Sequence, residues 1–368
     1  MPRSHETYMG LALGLGARGA GLTWPNPSVG CVVVKDDRII GRGWTQIGGR
    51  PHAEVVALAQ AGAFARGATV YVTLEPCAHH GKTPPCAEAL IAAGVKTVVV
   101  AVQDPDPRVD GGGLALLRAA GIDVITNVLA PEALKAHSGF MMRQKLGRPR
   151  VSLKLASSFD GRIATGAGES QWITGPQSRR QVHADRAGHD AVMIGGGTAR
   201  ADDPALTVRG WPVARQPVRI VVSRKLDIPL NGKLAKTANQ TPLWLCHGSD
   251  ANPDLSSAWQ GLGAKTVACK LAGRQVDMVD ALQHLGAAGL TSVYCEGGGA
   301  LAASLLAADL VDDLMGYIAG LAIGAEGQPA LGALGLDRLA DAPRFTLVSH
   351  RQLGADVLHI WTRETPLI

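Results

Sequence analysis

Two segments of the chain place metal-ligating side chains where strands and helices meet. They are Pro51-His52-Ala53-Glu54 and Thr73-Leu74-Glu75-Pro76-Cys77-Ala78-His79-His80-Gly81-Lys82-Thr83-Pro84-Pro85-Cys86. The first begins a run with the 3.6-residue apolar period of a helix. The second leaves a β-branched strand at Cys77 and enters a short helix at Cys86. Strand and helix patterns alternate on both sides of these segments, which predicts a layered α/β domain with a mostly parallel sheet.

The first part of the chain supplies a full set of elements for that domain. Its apolar patterns predict a β-hairpin around Lys35-Asp36-Asp37, with strands over 29–34 and 38–41, and one helix from Pro131 to about Lys145. The other predicted elements are strands over 68–74, 96–102 and 123–128 and helices over 51–63, 85–93 and 113–120.

A run of Gly, Pro and charged residues, Leu146-Gly147-Arg148-Pro149-Arg150, interrupts the pattern. The chain of 368 residues also exceeds the usual size of one domain. We therefore expect two domains, residues 1–146 and residues 147–368. The predicted elements of the second domain are strands over 151–156, 191–194, 218–222, 241–246 and 292–295 and helices that begin at Gly175 and Gly299.

Composition excludes several classes of protein. With 46% hydrophobic and 18% charged residues, the chain can bury real cores and is not disordered. The net charge of +5 is spread over both halves, which argues against a nucleic-acid or membrane partner. The uncharged stretch 314–325 is shorter than the ~20 residues that a membrane-spanning helix needs. No signal-peptide pattern opens the chain and the six cysteines are scattered, so we expect a cytoplasmic protein with reduced thiols or cysteine metal ligands.

The two quoted segments together predict a zinc site. One imidazole, His52, and two thiolates, Cys77 and Cys86, make up the three-ligand set of a catalytic zinc, whose fourth position stays open for water. A helix N-terminus stabilises a thiolate, and this applies to Cys86. The alternatives are buried structural thiols, or ligation by His79 or His80, which we instead expect in a loop near the substrate.

The pattern of a His, a Glu two residues later and a downstream cysteine pair resembles the signature of zinc nucleobase deaminases, in which the Glu is not a ligand and shuttles protons. Glu54 is the matching residue. In such a site zinc lowers the pKa of a water molecule toward ~7, and the Glu moves protons to the ring nitrogen and to the departing ammonia.

The spacing of the cysteines narrows the resemblance. Eight residues separate Cys77 from Cys86, where the common signature has two. This spacing, together with Val29-Gly30-Cys31-Val32, is similar to the N-terminal half of the bifunctional deaminase-reductases of riboflavin biosynthesis. The resemblance implies that Asn26, within Trp24-Pro25-Asn26-Pro27, contacts the pyrimidine; an Asn-Pro turn is the alternative.

The C-terminal half contains two loops in which glycines follow a strand, Gly195-Gly196-Gly197-Thr198 and Glu296-Gly297-Gly298-Gly299. Exposed backbone amides at such strand ends can bind a phosphate, and the second loop leads into a helix N-terminus. Neither loop has the spacing of a Rossmann fingerprint, so tight turns without a ligand are the alternative.

The family resemblance continues through residues 152–161, 168–174 and 201–209, which are similar to the reductase half of the same family. It covers essentially the whole chain. It implies an N-terminal cytidine-deaminase-like three-layer α/β domain, a C-terminal dihydrofolate-reductase-like domain, and the cofactors Zn²⁺ and NADPH. The substrate positions that it implies are Ser170, Arg186, Leu206, Arg209 and Glu296, and the NADP positions are Ala156, Trp172, Thr198, Asp202, Gly298, Gly299, Ala300, Leu301, Ala302, Ala303 and Ser304.

The chain departs from the family pattern at two places. After Tyr317-Ile318-Ala319 the family usually has Pro-Lys, and Gly320-Leu321 stands here instead, so any role of that Lys is missing or moved. Ser223 stands where an Asp is common, at one edge of the expected cofactor site.

Lys154 and Asp202 are the candidate catalytic residues of the reductase half. In a strand over 151–156, Lys154 shares a face with Ser152 and Ala156, and a Lys on an inner face needs a charge partner or a functional ligand. The resemblance places Asp202 beside the nicotinamide. Our hypothesis is that the pair orients the ring-opened imine of the substrate and handles its proton; a structural ion pair is the alternative.

We therefore predict an enzyme that deaminates a phosphoribosylated diaminopyrimidine with zinc and then reduces its ribose to a ribityl chain with NADPH. We expect it to act on a small phosphorylated molecule, to bind neither nucleic acid nor membrane, and to form a homo-oligomer, either a dimer or a tetramer. One rival is a nucleic-acid editing deaminase with an RNA-binding C-terminal module, which the low aromatic content of 4% argues against. The other is a sensor that binds NADPH without turnover.

Overall fold

The computed structural model describes residues 4–81 and 84–363. These residues form two compact units, the first ending at Gly147 and the second beginning at Arg148. Among the described residues no helix has the length and the apolar character needed to cross a membrane.

The first unit is built on a five-stranded sheet with six helices. The strands are β1 Gly30–Lys35, β2 Arg38–Trp44, β3 Thr69–Val72, β4 Thr97–Val100 and β5 Asp123–Ile125, and the helices are α1 His5–Gly16, α2 Ala53–Ala61, α3 Cys86–Ala92, α4 Gly112–Ala119, α5 Ala130–Ala136 and α6 Ser138–Leu146. Three short 3₁₀ turns cover Ala17–Gly19, Ile47–Gly49 and Gly62–Ala65.

The order of the strands in this sheet is β2-β1-β3-β4-β5. The β1 strand pairs antiparallel with both β2 and β3, whereas β3 pairs parallel with β4 and β4 with β5. The expectation of a mostly parallel sheet is therefore wrong for this unit. The reason is the predicted hairpin itself, which is confirmed: it occupies one side of the sheet, and its turn residues Asp36 and Asp37 have φ values of 48° and 58°, as a tight two-residue hairpin requires.

The glycines of β2 determine how closely the helix that carries His52 and Glu54 approaches the sheet. A Cβ on Gly41 would lie 2.2 Å from the carbonyl oxygen of Ala57, and one on Gly43 would lie 2.1 Å from that of Ala53. Only glycine allows these contacts, so the first two turns of α2 lie directly on the backbone of β2.

The helix α1 is absent from the sequence-based expectations, because three glycines interrupt its apolar pattern. Ser4 caps it by accepting a hydrogen bond from the amide of Thr7 at 3.3 Å. The helix buries Tyr8, Met9 and Ala12 against the sheet. Close packing therefore stabilises this helix although its sequence is a poor helix former.

The prediction of one continuous helix over 131–145 is wrong, because the structure has two helices that meet at His137. The backbone of His137 departs from helical values, with φ −97° and ψ 5°. Its ring turns inward and lies 3.1 Å from the Thr73 hydroxyl. An apolar period cannot reveal such an inward polar contact, since His137 occupies an apolar position of the pattern.

His137 makes the stability of the first unit depend on pH. Burial lowers the pKa of His137 from 6.5 to about 4. Between these pH values His137 is protonated in the unfolded chain and neutral in the folded chain. Stability therefore falls as the pH falls from 6.5 toward 4, by about 2 kcal/mol at pH 5. Urea unfolding at pH 7 and pH 5 should show this loss in the wild type and a smaller loss in His137→Gln. Equal losses in both proteins would contradict the assignment.

The second unit contains a nine-stranded sheet. The strands of the unit are β6 Arg150–Ser158, β7 Arg162–Ala164, β8 Ala191–Gly195, β9 Val218–Val222, β10 Leu243–Gly248, β11 Lys265–Cys269, β12 Leu271–Ala272, β13 Gln275–Val276, β14 Ser292–Cys295, β15 Asp313–Ala319, β16 Gln328–Pro329, β17 Thr346–Leu353 and β18 Asp356–Thr362. The helices are α7 Pro176–Ala187, α8 Gly196–Asp202, α9 Lys233–Lys236, α10 Pro253–Gly261, α11 Met278–Ala287 and α12 Gly299–Ala307, with a 3₁₀ turn at Leu339–Asp341.

The large sheet has the order β11-β10-β9-β8-β14-β6-β15-β18-β17. All pairs from β11 to β15 are parallel, and β18 and β17 add an antiparallel edge. The five predicted strands of this half are confirmed as β6, β8, β9, β10 and β14, as are the helix starts near Gly175 and at Gly299. The sequence patterns did not predict the strand β15, which lies largely within the uncharged stretch 314–325. Its uncharged character reflects burial within the sheet.

Candidate functional site

Three predicted metal ligands converge in the first unit. His52 immediately precedes α2, Cys77 follows β3, and Cys86 is the first residue of α3. The Nδ1 atom of His52 lies 3.3 Å from Cys86 Sγ and 3.6 Å from Cys77 Sγ. All three ligand atoms lie within 4.8 Å of one another. Ligand atoms around a tetrahedral zinc are about 3.5–4 Å apart, so this donor set fits a zinc ion.

The electrostatics of the cluster also suit a cation. A hydrogen bond with the Cys86 thiol lowers the pKa of Cys77 to about 4, and the His52 ring and the Cys86 amide act in the same direction. The amide of Cys86 donates to Cys77 Sγ at 3.3 Å. The lowered pKa favours the thiolate form of Cys77, which is the form that binds a divalent cation.

Glu54 lies in the first turn of α2, beside the three ligands but outside their group. Its side chain is buried, with 3% of the residue exposed. Burial raises the pKa of Glu54 to about 7, and the charge of Cys77 adds to the rise. A carboxyl with this pKa can both accept and return a proton at neutral pH.

A cavity of about 320 Å³ opens beside Glu54 and the ligand cluster. Asn26 lines it, as expected of a substrate contact, and donates a hydrogen bond from Nδ2 to the carbonyl of Gly49 at 2.8 Å. Sequence reasoning missed several charged and polar residues of the cavity wall: Arg50, Asp104, Asp106, Arg108, Arg143 and Gln144.

A signal for part of this wall was present in the sequence. The run Asp104-Pro105-Asp106-Pro107-Arg108 follows β4, which is the parallel neighbour of β3. The carboxyl ends of parallel strands meet at one edge of a sheet, so a charged run after β4 belongs beside Cys77. Asp106 and Arg108 form a salt bridge, and Gln144 Nε2 donates to Asp106 at 3.2 Å. Burial raises the pKa of Asp104 to about 7.

Glu75 holds this wall in place. Its buried carboxylate accepts hydrogen bonds from the backbone amides of Asp104, Gly111, Gly113 and Leu114, at 2.9 to 3.2 Å. Four amide donors satisfy a carboxylate without a cation, so Glu75 is a structural link between the Cys77 loop and the opposite side of the cavity.

The two rival ligands lie elsewhere. His80 is exposed and forms an ion pair with Glu88 at 3.0 Å, and His79 lines the cavity. Neither belongs to the metal-binding group found among residues 4–81 and 84–363. Lys82 and Thr83 of the same loop lie outside the described residues.

In the second unit the two glycine loops lie side by side. The amide of Gly195 donates to the carbonyl of Gly297 at 3.3 Å, and the Thr198 hydroxyl donates to the same carbonyl at 3.4 Å. A Cβ on Gly298 would lie 2.7 Å from the Thr198 oxygen. Each loop leads into a helix, α8 and α12, so two helix N-termini stand at this edge of the sheet.

Two expected substrate positions bind each other. The guanidinium of Arg186 forms a bidentate salt bridge with the carboxylate of Glu296, with one contact at 2.8 Å, and also donates to the carbonyl of Thr207 at 2.8 Å. Arg209 is exposed and its amide lies 3.1 Å from His183 Nδ1. The structure therefore brings Arg186 and Glu296 together and leaves Arg209 at the surface nearby.

Other expected positions differ in how accessible they are. The Leu206 side chain is only 2% exposed and packs in the core, so a substrate could meet only its backbone. Ser170 is half-buried. Trp172 is 66% exposed, with the Arg179 guanidinium 4.6 Å from its ring centre. Among the α12 positions Leu301, Ala302 and Ala303 are buried, and the Ser304 hydroxyl donates to the Ala300 carbonyl at 3.0 Å.

The two departures from the family pattern, Ser223 and Gly320-Leu321, both lie next to hydrogen bonds of the second unit. The Ser223 hydroxyl donates to Asp227 Oδ1 at 2.7 Å, and Arg200 pairs with the same carboxylate at 2.8 Å. The carbonyl of Leu321 accepts a hydrogen bond from the amide of Phe159 at 2.8 Å.

Lys154 lies on β6 beside Ala156, and Asp202 lies exposed at the end of α8. Burial lowers the pKa of Lys154, while the nearby charges of Glu296, Asp185 and Asp202 oppose this fall. In the described part of the chain no ion pair of 4.0 Å or less joins Lys154 to Asp202. The alternative of a direct structural ion pair is therefore not what the structure contains.

The chain matches two family models. The zinc-binding region of cytidine and deoxycytidylate deaminases matches residues 2–102, and the RibD C-terminal domain matches residues 149–359. Among curated relatives, the riboflavin biosynthesis protein RibD of Escherichia coli K12 is 43% identical and that of Haemophilus influenzae 42% identical, each over 96% of this chain and over 98% and 96% of the relative.

Solved structures agree with these matches. A RibD structure from Acinetobacter baumannii has a TM-score of 0.87 at 38% identity, covering 98% of this chain and 99% of the other. A deaminase/reductase structure from Thermotoga maritima has a TM-score of 0.85 at 34% identity, covering 98% of both chains. The predicted fold class, a deaminase-like domain followed by a reductase domain, is confirmed.

Proposed function

The chain belongs to the RibD family of riboflavin biosynthesis proteins, and from that premise we propose which of its residues carry out each of two reactions. It is a bifunctional enzyme that uses zinc to deaminate a phosphoribosylated diaminopyrimidine and NADPH to reduce the ribose of the product to a ribityl chain.

The convergence of His52, Cys77 and Cys86 next to buried Glu54 supports the deaminase site. Zinc, when bound by these three residues, supplies Lewis acidity that makes water a nucleophile at neutral pH. Glu54 accepts one proton from the attacking water and passes it to the ring nitrogen. It then takes the second proton of the same oxygen and passes it to the amino group. The water oxygen stays on the ring carbon, and the amino group leaves as ammonia.

The cavity wall provides the substrate contacts in this proposal. Asn26, oriented by the Gly49 carbonyl, faces the pyrimidine. Arg50 and Arg143 line the same cavity and suit the ribose phosphate through their planar donors. Asp104, whose raised pKa of about 7 lets it donate as well as accept, suits the polar edge of the pyrimidine.

Replacing Cys86 with Ala should remove the zinc. The two remaining ligand atoms cannot complete a three-ligand site, so we expect metal analysis to fall from about one zinc per chain to a small fraction of that. The matched variant is His80→Ala, which removes a nearby imidazole outside the cluster and should keep its zinc. If Cys86→Ala retains zinc while His80→Ala loses it, the ligand assignment is wrong.

The reductase proposal rests on Lys154 and the charged groups around it. NADPH, when bound at the two glycine loops and the N-termini of α8 and α12, supplies a hydride to the first carbon of the ring-opened ribose. Lys154 and Asp202 orient the imine at that carbon and deliver its proton. Arg186, held by Glu296, and Arg209 at the surface bind the substrate phosphate.

We also propose a homo-oligomer, a dimer or a tetramer, formed through the outer face of the large sheet. On this face Leu347 and Val357 are each 45% exposed, and Leu155, Phe345 and Trp361 line an open apolar cavity of about 250 Å³. Exposed apolar patches of this kind mark interfaces. Light scattering should give a molar mass of two or four chains for the wild type and a smaller molar mass for Val357→Asp. A wild-type monomer would contradict this proposal.

A cytoplasmic location completes the proposal. None of the six cysteines, all of which lie in the described residues, forms a disulfide, which suits a reducing compartment.

A further inference from the structure

Asp185, on α7, carries a carboxylate that neither reaction uses. Its Oδ2 atom accepts a hydrogen bond from the Tyr294 hydroxyl at 3.2 Å and a second from the Tyr317 hydroxyl. Its Oδ1 atom accepts one from Gln181 Nε2 at 2.7 Å. Both tyrosines are fully buried. Three donors therefore hold this carboxylate in one position.

The two tyrosines locate Asp185 relative to Lys154. Tyr294 on β14 pairs with Ser152 of β6, and Tyr317 on β15 pairs with Ala156 of the same strand. Paired residues of neighbouring strands point to the same face of a sheet, and β14 and β15 flank β6 on its two sides. The Asp185 oxygen that accepts from both tyrosines therefore lies over the face of β6 that carries Ser152 and Ala156. Lys154 lies between these two residues on the same face.

The charges that face Lys154 come from every element packed around it. Glu296 follows β14, Asp202 ends α8, and α7 contributes Asp185 and Arg186. The other titratable groups nearby are Tyr294 and Tyr317 on the flanking strands, His183 on α7, whose charge acts on Glu296, and His189 after α7, whose Nε2 lies 3.1 Å from the Ser152 hydroxyl. Glu296 is shared with Arg186 in the bidentate pair. Among the described residues Asp185 has no cationic partner within 4.0 Å, so its charge acts on Lys154 without that competition.

We propose that Asp185 is a positioning residue of the reduction, which keeps the Lys154 ammonium protonated and oriented toward the reacting imine. Burial alone lowers the pKa of Lys154, and the charge of Asp185 opposes that fall. The tyrosine hydroxyls supply the geometry, because they fix the carboxylate over β6. This inference rests on the proposed role of Lys154 in the reduction.

The test is the pH profile of the reductase kcat in the full-length protein with deaminated substrate. Asp185→Asn keeps the shape of the side chain and removes the charge, so the basic limb should move to lower pH by about one unit. The dissociation constant of NADPH and the release of ammonia should stay unchanged. Asp185→Glu, which restores the charge, should move the limb back toward its wild-type position.

Asp190→Asn is the matched control. Asp190 is another buried carboxylate of the same unit, but it accepts its hydrogen bonds from Thr291 and the amide of Ser292, and it is not among the charges that act on Lys154. Its replacement should leave the basic limb in place. An unmoved limb in a folded Asp185→Asn protein would overturn the inference even if kcat falls, because a purely structural role also lowers the rate.

A second variant covers the case in which Asp185→Asn does not fold. The double change Tyr294→Phe and Tyr317→Phe removes both hydroxyls and keeps the charge, and kcat should fall at least about threefold with NADPH binding unchanged. An unchanged kcat would overturn the inference. Lys154→Met, measured in parallel, separates the two proposals. If it reduces substrate at the wild-type rate, the role of Lys154 itself fails, whereas an inactive Lys154→Met with an unmoved limb in Asp185→Asn removes only the role of Asp185.

Discussion

Glu54→Gln should release ammonia about 100- to 10,000-fold more slowly than the wild type, the range expected when a general acid-base group is lost. Glu54 is buried beside the ligand cluster, and its pKa of about 7 suits proton transfer. The amide keeps the size of the side chain but can no longer take a proton from water. Ammonia release is measured with saturating pyrimidine substrate.

The same variant should keep its zinc and should oxidise NADPH normally when deaminated substrate is supplied. Glu88→Gln is the matched control, because Glu88 is a half-exposed carboxylate of the same unit that pairs with His80 outside the ligand cluster. It should retain both activities. Loss of both activities in folded Glu54→Gln would contradict the two-site proposal, and a near-normal rate of ammonia release would remove Glu54 from the chemistry.

Lys154→Met should slow the reduction by about 100-fold or more, as expected for a group that transfers or holds a proton in the transition state. Methionine is unbranched like lysine, is shorter by one atom and has no charge, so packing on β6 is largely kept. The rate is measured as NADPH oxidation with deaminated substrate, and NADPH binding serves as the check of folding. Unchanged NADPH affinity with a normal rate would leave Lys154 a structural residue.

Asp202→Asn decides which carboxylate acts with Lys154. Our hypothesis predicts a loss of about 100-fold here too, with the fold and NADPH binding kept. Asp202 is exposed and forms no direct ion pair with Lys154 within the described residues, so its contribution is expected when substrate is bound. A near-normal rate in this variant would move the chemistry to Glu296, whose carboxylate lies in the same charged group.

Several expectations from the sequence differ from the structure for identifiable reasons. The sheet of the first unit is half antiparallel because the β1–β2 hairpin occupies one side of it. The sequence predicts this hairpin but does not show its place in the strand order. The helix α1 was missed because packing outweighs the low helix propensity of its glycines. The break at His137 was missed because its ring is bonded to Thr73, far away in sequence.

The sequence by itself determined the two-reaction organisation, and it predicted the three zinc ligands and the role of Glu54 that we propose. These features can be predicted because they depend on short segments such as Pro51-His52-Ala53-Glu54, in which local spacing places side chains at helix and strand ends. Only the tertiary structure decided what surrounds Lys154. The contact between Tyr317 and Asp185 joins residues 132 positions apart. Strand order and helix packing create such contacts, and no local period in the sequence records them.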